Sequence, residues 1–269
     1  MKKVLITGMA GLVGSVIENH LRNHFSFSSL DLVDYPNVNG FKGDISNLES
    51  IKPAFKDQDA VIHLAADANG AATWDSLLPN NIIGTYNVFE ASRLAGIKRI
   101  VVASSNHVVG FIPVKNKTYR SIYEERTTIK SSGMPYIGTN EIRPCCLYGV
   151  TKSFGESLGS YYYDKFGVSV ISLRIGGVFE KDDFGNGPSH RALWLSHKDL
   201  AQIMQKSIDS PLDIGSKIIY GISANDLRIH DIESGENIGY FPNDNAGMPT
   251  NEINREFDYQ SYFKCNGPH

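Results

Sequence analysis

The chain opens on a short apolar run, Lys2-Lys3-Val4-Leu5-Ile6-Thr7, which ends in the turn Gly8-Met9-Ala10-Gly11-Leu12-Val13-Gly14. Val13, Ile17 and Leu21 then recur every four residues, the spacing of a helix with one buried face. The predicted order is strand, glycine turn, helix. Further apolar runs at 29–33, 60–65, 100–103, 168–173 and 217–220 do not alternate with polar positions, as befits strands covered on both faces. Helical periodicity is clearest at 80–94 and 148–166. Strands alternating with helices predict an α/β fold with a doubly wound parallel sheet.

Residues 114–146, rich in Lys, Thr, Ser, Gly and Pro, are expected to pass over the rim of the sheet. Beyond Arg174 the pattern weakens: Gly176-Gly177 and the stretch 181–189 read as loop, and 243–269 as a polar tail. No repeat or low-complexity linker divides the 269 residues, a length that α/β folds reach as one unit.

Composition narrows the class. Lys and Arg number 26 and Asp and Glu 29, so the net charge is 26 − 29 = −3, which does not advertise a nucleic-acid or membrane partner. No run of ~20 apolar residues could span a bilayer, and no charged-then-apolar leader follows Met1. The three cysteines, Cys145, Cys146 and Cys265, are odd in number with two adjacent, which is neither a disulfide framework nor a zinc-ligand spacing. A cytoplasmic enzyme or binding domain without a metal is the expectation.

Three motifs carry candidate chemistry. A glycine turn directly after a strand lets backbone approach a pyrophosphate and aims helix N–H groups at it. Met9 stands where the commonest dinucleotide fingerprint has its second glycine, so Gly8, Gly11 and Gly14 form a variant spacing. About twenty residues on, Asp31 closes the second strand, where a carboxylate accepts bonds from an adenosine ribose and repels a 2′-phosphate, favouring NAD over NADP. Asp34 is a competing choice for that role. Asp44, in Gly43-Asp44-Ile45, either holds the adenine amino group or caps a helix.

Tyr148 and Lys152 stand one turn apart at the start of a helix, on one face. A nearby ammonium and an oxidised nicotinamide would lower the phenol from its usual pKa of about 10, so that it acts as a base. The strand ending Val101-Val102-Ala103-Ser104-Ser105-Asn106-His107 places hydroxyls, an amide and an imidazole where open α/β sheets bind ligands.

The glycine turn at 7–14, Asp44-Ile45, His63-Leu64-Ala65-Ala66, Asn81-Ile82-Ile83-Gly84-Thr85, Ser104-Ser105 and Tyr148 with Lys152 together resemble the extended short-chain dehydrogenase/reductase family, which includes the NAD-dependent epimerases and dehydratases. The resemblance spans residues 2 to about 223 and implies a Rossmann-type fold with a small C-terminal substrate lid. The implied arrangement is one unit over 1–269: 1–176 mainly the NAD-binding core with the catalytic helix, 177–269 mainly lid and tail. It makes Tyr148 the proton acceptor, Lys152 its partner and a nicotinamide-ribose ligand, and Ser105, preferred to Ser104, the second hydroxyl. The implied cofactor contacts are Gly8, Met9, Ala10, Gly11, Leu12, Val13, Gly14, Asp31, Asp44, Ile45, Leu64, Ala65, Ala66, Asn81, Ala103, Tyr148, Lys152 and Ile175.

Dehydratases of this family carry Asp-Glu after the hydroxyl residue, and this chain has Asn106-His107. Epimerases need a larger C-terminal region to hold a nucleoside diphosphate. A closer resemblance is carried by Ala103-Ser104-Ser105-Asn106-His107, Leu147-Tyr148-Gly149-Val150-Thr151-Lys152, Arg174-Ile175-Gly176 and Trp194-Leu195-Ser196. These are similar to uronate dehydrogenases and related NAD-dependent sugar or sugar-phosphate 1-dehydrogenases. That resemblance implies oxidation of a small sugar at its anomeric carbon to a lactone. Asp67, Ser105, Asn106, His107 and Tyr148 become sugar ligands, and Arg191, alternatively a solvated loop residue, a contact for an anionic group. The chain departs from the uronate group at Leu12, at Gly177 and in having Arg191 where the carboxylate-binding arginine would fall near Ser189. The run 67–75 is more like the sugar-phosphate branch. A nucleotide-sugar epimerase and a cofactor-sensing regulator are the alternatives, though sensors typically lose the tyrosine or lysine. A homo-oligomer is expected, and His63 and Trp194 are expected to be structural.

Overall fold

The computed structural model describes residues 1–36, 38–124, 128–184 and 187–248. Seven parallel strands form one sheet in the order β3-β2-β1-β4-β5-β6-β7. They are β1 (Lys2–Thr7), β2 (Phe25–Asp31), β3 (Asn39–Lys42), β4 (Ala60–His63), β5 (Arg99–Ser105), β6 (Ser169–Ile175) and β7 (Ser216–Gly221). The longest helices are α1 (Leu12–Leu21), α2 (Gly84–Leu94), α3 (Leu147–Phe166) and α4 (His197–Asp209). From β1 the chain winds outward through β2 and β3, then crosses back to place β4 on the other side of β1. That reversal opens a crevice beyond the carboxyl ends of β1 and β4, where such sheets bind ligands.

The sheet is Rossmann-like, as the apolar runs predict, and differs from the reading in detail. β2 begins at Phe25 and ends at Asp31, because Phe25, Phe27 and Leu30 fill the core while Leu32 and Val33 stand exposed. β4 stops at His63 because the Leu64 and Ala65 N–H groups both turn to the Thr7 carbonyl, at 3.0 Å each. β3 escapes the hydrophobic pattern because it is a short, largely exposed edge strand with Phe41 as its single large apolar side chain. The helix expected from residue 80 starts earlier, as one turn at Trp74–Leu77, then runs through a π-helical stretch, Leu78–Ile83, before α2.

Two apolar clusters line the faces of the central strands: Val4, Ile6, Ile17 and Ile171 with α4 on one side, Leu5, Leu30, Phe55 and Val61 with α2 on the other. Another joins Tyr119, Ile122, Ile129 and Ile137 to Leu193, Tyr220, Leu227 and Ile229. The stretch expected as a rim excursion thus contains helices Phe111–Lys115, Lys117–Glu124 and Ile129–Ser132 and packs on the C-terminal part. Pro188–Leu193 is a short helix where loop was expected, while Gly185 and Asn186 lie outside the described residues. The expected tail from 243 is fastened over 243–246: the Asp199 carboxylate accepts the Asn243 and Asp244 N–H groups at 2.9 and 3.1 Å, and Asn225 accepts that of Ala246. Residues 249–269, Cys265 among them, lie outside the described residues. No helix among the described residues is long and apolar enough to cross a membrane.

α3 is tied to the sheet by a buried ion pair. Arg174 on β6 is 0% and Glu156 on α3 2% exposed, with Nε and Nη2 each donating to the carboxylate at 2.8 Å. Ser104 donates to the same carboxylate at 2.5 Å, and Arg174 Nη1 to the Tyr220 hydroxyl at 3.1 Å. Removing one partner leaves an uncompensated buried charge. Glu156→Ala is expected to lower the unfolding free energy by about 3–5 kcal/mol, while Glu156→Leu with Arg174→Met recovers most of the loss. Urea unfolding of the three proteins checks both.

Candidate active site

Gly8 has φ +74°, and a Cβ there would lie 2.6 Å from the Ala65 N atom, so only glycine lets β1 pass this close to the start of the β4 loop. Its carbonyl accepts the Gly11 N–H and α1 begins at Leu12. The resulting crevice, about 580 Å³, is lined by Gly8, Ala10, Gly11, Leu12, Val13, Gly14, Asp31, Asp44, Ile45, Leu64, Ala65, Ala66 and Asp67. Met9 does not line it: that side chain is wholly buried among Val4, Ile17 and Phe27, because the residue after Gly8 faces the core. Leu32, Gly43, Ala68, Ser76 and Asn80 line the crevice and were not singled out in the sequence. Their contribution comes from loop paths, which no local pattern reports.

Asp31 Oδ2 accepts the Ala10 N–H at 3.0 Å and Oδ1 the Leu32 N–H at 2.8 Å. The carboxylate therefore stands beside the glycine turn, where a ribose would meet it. Asp34 is not among the lining residues. Asp44 does not cap the following helix, since Asn47 does so by accepting the Ser50 N–H; Asp44 accepts the Ser46 N–H at 2.8 Å within the crevice wall. A wall of small residues, a helix N-terminus and an acid at the β2 end fit a dinucleotide.

Beyond the crevice, β5 delivers Ser105, Asn106 and His107, and α3 delivers Tyr148 and Lys152. The two meet closely because residue 149 is glycine: a Cβ there would lie 2.6 Å from the His107 carbonyl oxygen. The Tyr148 hydroxyl is buried on the side of Ser105, whose hydroxyl accepts the His107 N–H at 3.2 Å, whereas Ser104 turns to Glu156. Lys152 Nζ donates to the Ala103 carbonyl at 2.8 Å and lies 5.5 Å from the Tyr148 ring centre.

Burial pushes the Tyr148 phenol up to about 12; the Ser105 hydrogen bond opposes this, while the nearby Cys146 and Asp67 add to it. Burial sets the direction of this shift, while the Lys152 ammonium is held at the Ala103 carbonyl. Burial also pulls Lys152 down to about 8.

Asn81 faces protein rather than open crevice. Its Oδ1 accepts the Asp67 N–H at 2.8 Å, and Nδ2 donates to the Asp67 carbonyl and to Thr151 Oγ1, both at 3.0 Å. It therefore braces the crevice loop against α3, which the π-helical stretch makes possible by turning it inward. Asp67 in turn accepts from Ser76 and from the Asn69 N–H. His63 is buried between Thr7 at 2.8 Å and Thr85 at 3.1 Å, and burial draws it down to about 3, so it is a neutral structural residue. Trp194 is buried. Ile175 ends β6 against the core.

Arg191 is 9% exposed, donates to the Ala246 carbonyl and lies 4.3 Å from the Phe184 ring centre. This corrects its reading as a ready substrate contact: the helix beginning at Pro188 turns it inward to hold the chain at 246. The fold brings together three potential ligands that no sequence spacing signals. His107, Cys145 and Cys146 bring their ligand atoms within 4.8 Å of one another, a proximity created by folding β5 against α3.

A Rossmann-like sheet, a dinucleotide crevice with an acid at the β2 end, and tyrosine, lysine and serine at its far side define an NAD-binding oxidoreductase. Comparison with known proteins agrees. The model of the NAD dependent epimerase/dehydratase family matches residues 4–198, and the chain belongs to that family. It is 34% identical over 264 residues to the NAD-dependent glucose-6-phosphate dehydrogenase of Haloferax volcanii, covering 93% of this chain and 96% of the relative. It is also 34% identical to the L-arabinose 1-dehydrogenase of the same organism, over 91% of this chain and 98% of the relative. Among solved structures, uronate dehydrogenase from Agrobacterium tumefaciens, a Y136A mutant complexed with NAD, superposes with a TM-score of 0.78 at 30% identity, covering 91% of this chain and 86% of that one. NAD is the cofactor of this family.

The lysine gives a pH test. Its ammonium sits at about 8 instead of the ordinary 10.5, so between those values the unfolded chain binds the proton that the folded chain has lost. The lysine's own contribution to stability must then rise with pH across that window, while the buried tyrosines, raised by burial, act in the opposite sense above the ordinary tyrosine value. Urea unfolding near pH 8 and near pH 10.5 is expected to show wild type gaining stability relative to Lys152→Met.

Proposed function

We propose that this chain oxidises a small free sugar at its anomeric carbon, giving the lactone. The observation that carries the reading is the Lys152 ammonium 5.5 Å from the centre of the buried Tyr148 ring, with Ser105 at the end of β5 on the same side, beyond the dinucleotide crevice. Ser105 holds the anomeric oxygen through its hydroxyl. Tyr148 takes the proton from that oxygen. Bound NAD⁺ supplies the acceptor for the hydride leaving C1, so the carbon loses two electrons and becomes the lactone carbonyl. For the proton transfer Tyr148 must first give up its own proton to solvent; the Lys152 ammonium held near the buried ring stabilises the resulting phenolate, which the sugar's proton returns to the phenol. Asp67, Asn106 and His107 hold the remaining hydroxyls.

The buried, engaged Arg191 argues against its serving as a clamp for a uronate carboxylate or a phosphate, which favours a neutral aldose. The relative named as an L-arabinose 1-dehydrogenase points the same way, and the one named as a glucose-6-phosphate dehydrogenase supports keeping sugar phosphates in the comparison. NADH formation from NAD⁺ with a panel of aldoses, hexose phosphates, hexuronates and UDP-sugars tests the reading. Net NADH with a free aldose or its phosphate is expected; interconversion of UDP-sugars without net NADH would overturn it. Tyr148→Phe is expected to keep NAD binding and lose about 10²–10⁴-fold in kcat. Turnover left intact would remove Tyr148 as the base.

A further inference from the structure

His107 lies just beyond the end of β5, and Cys145 and Cys146 immediately precede α3. Both sulfurs face the same ring nitrogen: His107 Nδ1 is 3.3 Å from Cys146 Sγ and 3.4 Å from Cys145 Sγ, and the sulfurs are 4.0 Å apart. Zn–S bonds of about 2.3 Å and Zn–N bonds of about 2.05 Å at tetrahedral angles require S···N separations of about 3.5 Å and S···S of about 3.8 Å. The three atoms therefore already outline one face of a zinc tetrahedron. Cys145 is buried and Cys146 half-buried, leaving the fourth vertex to water.

We propose that His107, Cys145 and Cys146 bind a soft divalent cation of the zinc type, which clasps the end of β5 to the start of α3. Two thiols give up their protons to solvent as two metal–sulfur bonds form, and the imidazole binds through neutral Nδ1. The charge of the two thiolates cancels that of the ion, as a partly buried site requires. The Cys146 sulfur also accepts the Gly149 N–H at 3.4 Å, so its position is set by the first turn of α3 before any metal arrives. The His107 ring meets the Tyr148 ring edge-on, with centres 5.5 Å apart, so the ion stands at the sugar end of the site. Coordination of Nδ1 fixes the proton on Nε2 and makes that nitrogen a donor. The use of that donor for a sugar hydroxyl rests on the function proposed above; the cation site does not.

The test uses the reduced, full-length protein without NAD or sugar, so its failure is separate from failure of the sugar reading. Titration with Co²⁺ is expected to give a thiolate-to-cobalt charge-transfer band that saturates at one equivalent. X-ray absorption of the Zn²⁺-loaded wild type is expected to count two sulfurs and one imidazole nitrogen. Cys145→Ser, Cys146→Ser and His107→Ala, each checked for folding by circular dichroism, are expected to weaken Co²⁺ binding by more than the roughly tenfold that loss of an outer partner costs. Cys265→Ser is expected to leave it unchanged. No band at one equivalent, a zinc shell without two sulfurs, or a band abolished only by Cys265→Ser would overturn the proposal, as would a Cys145–Cys146 disulfide that persists under reductant.

Discussion

The placement of α3 depends on two opposite charges buried together, Glu156 and Arg174. Glu156 sits one turn beyond Lys152 and two beyond Tyr148, so all three side chains project from the same face of α3 toward the sheet. At that depth a lone carboxylate would be prohibitively expensive. Arg174 removes the expense only if β6 and α3 meet in one register, and the added bonds from Ser104 and to Tyr220 bring β5 and β7 into the same constraint. With the helix held there, Tyr148 can fall only beside Ser105, and Lys152 only beneath the phenol.

Closeness at the other end of the helix comes from what is missing. The Cβ that Gly149 lacks would overlap the His107 carbonyl, so the first turn of α3 rests directly on the chain leaving β5. The same approach brings the adjacent cysteines against His107. Buried charge at one end and close backbone at the other thus fix where Tyr148 and Lys152 stand relative to Ser105 and His107.

Much of this was legible in the sequence, for a physical reason. A parallel strand buried on both faces must be apolar throughout, which exposed most of the sheet. The glycine turn and the Tyr148–Lys152 spacing are local consequences of turn and helix geometry. What escaped was set by contacts distant along the chain. β3 pairs by backbone and contributes one large apolar side chain, so it left no run. Met9 could be placed inside, and Arg191 turned inward, only once the path of the following helix was known. The His107–Cys145–Cys146 group spans nearly forty positions and has no spacing signature. The polar stretch from 243 looks like tail until the buried Asp199 and Asn225 are seen to need its N–H groups.

The proposed oxidation breaks one bond, the C–H at the anomeric carbon of a free sugar. A substrate aldose deuterated only at C1, incubated with the protein and NAD⁺, should pass its label to the cofactor. NADH carrying one deuterium and a lactone carbonyl at C1 are expected. Unlabelled NADH, with the deuterium still on the sugar, would place the oxidation at another carbon and contradict it.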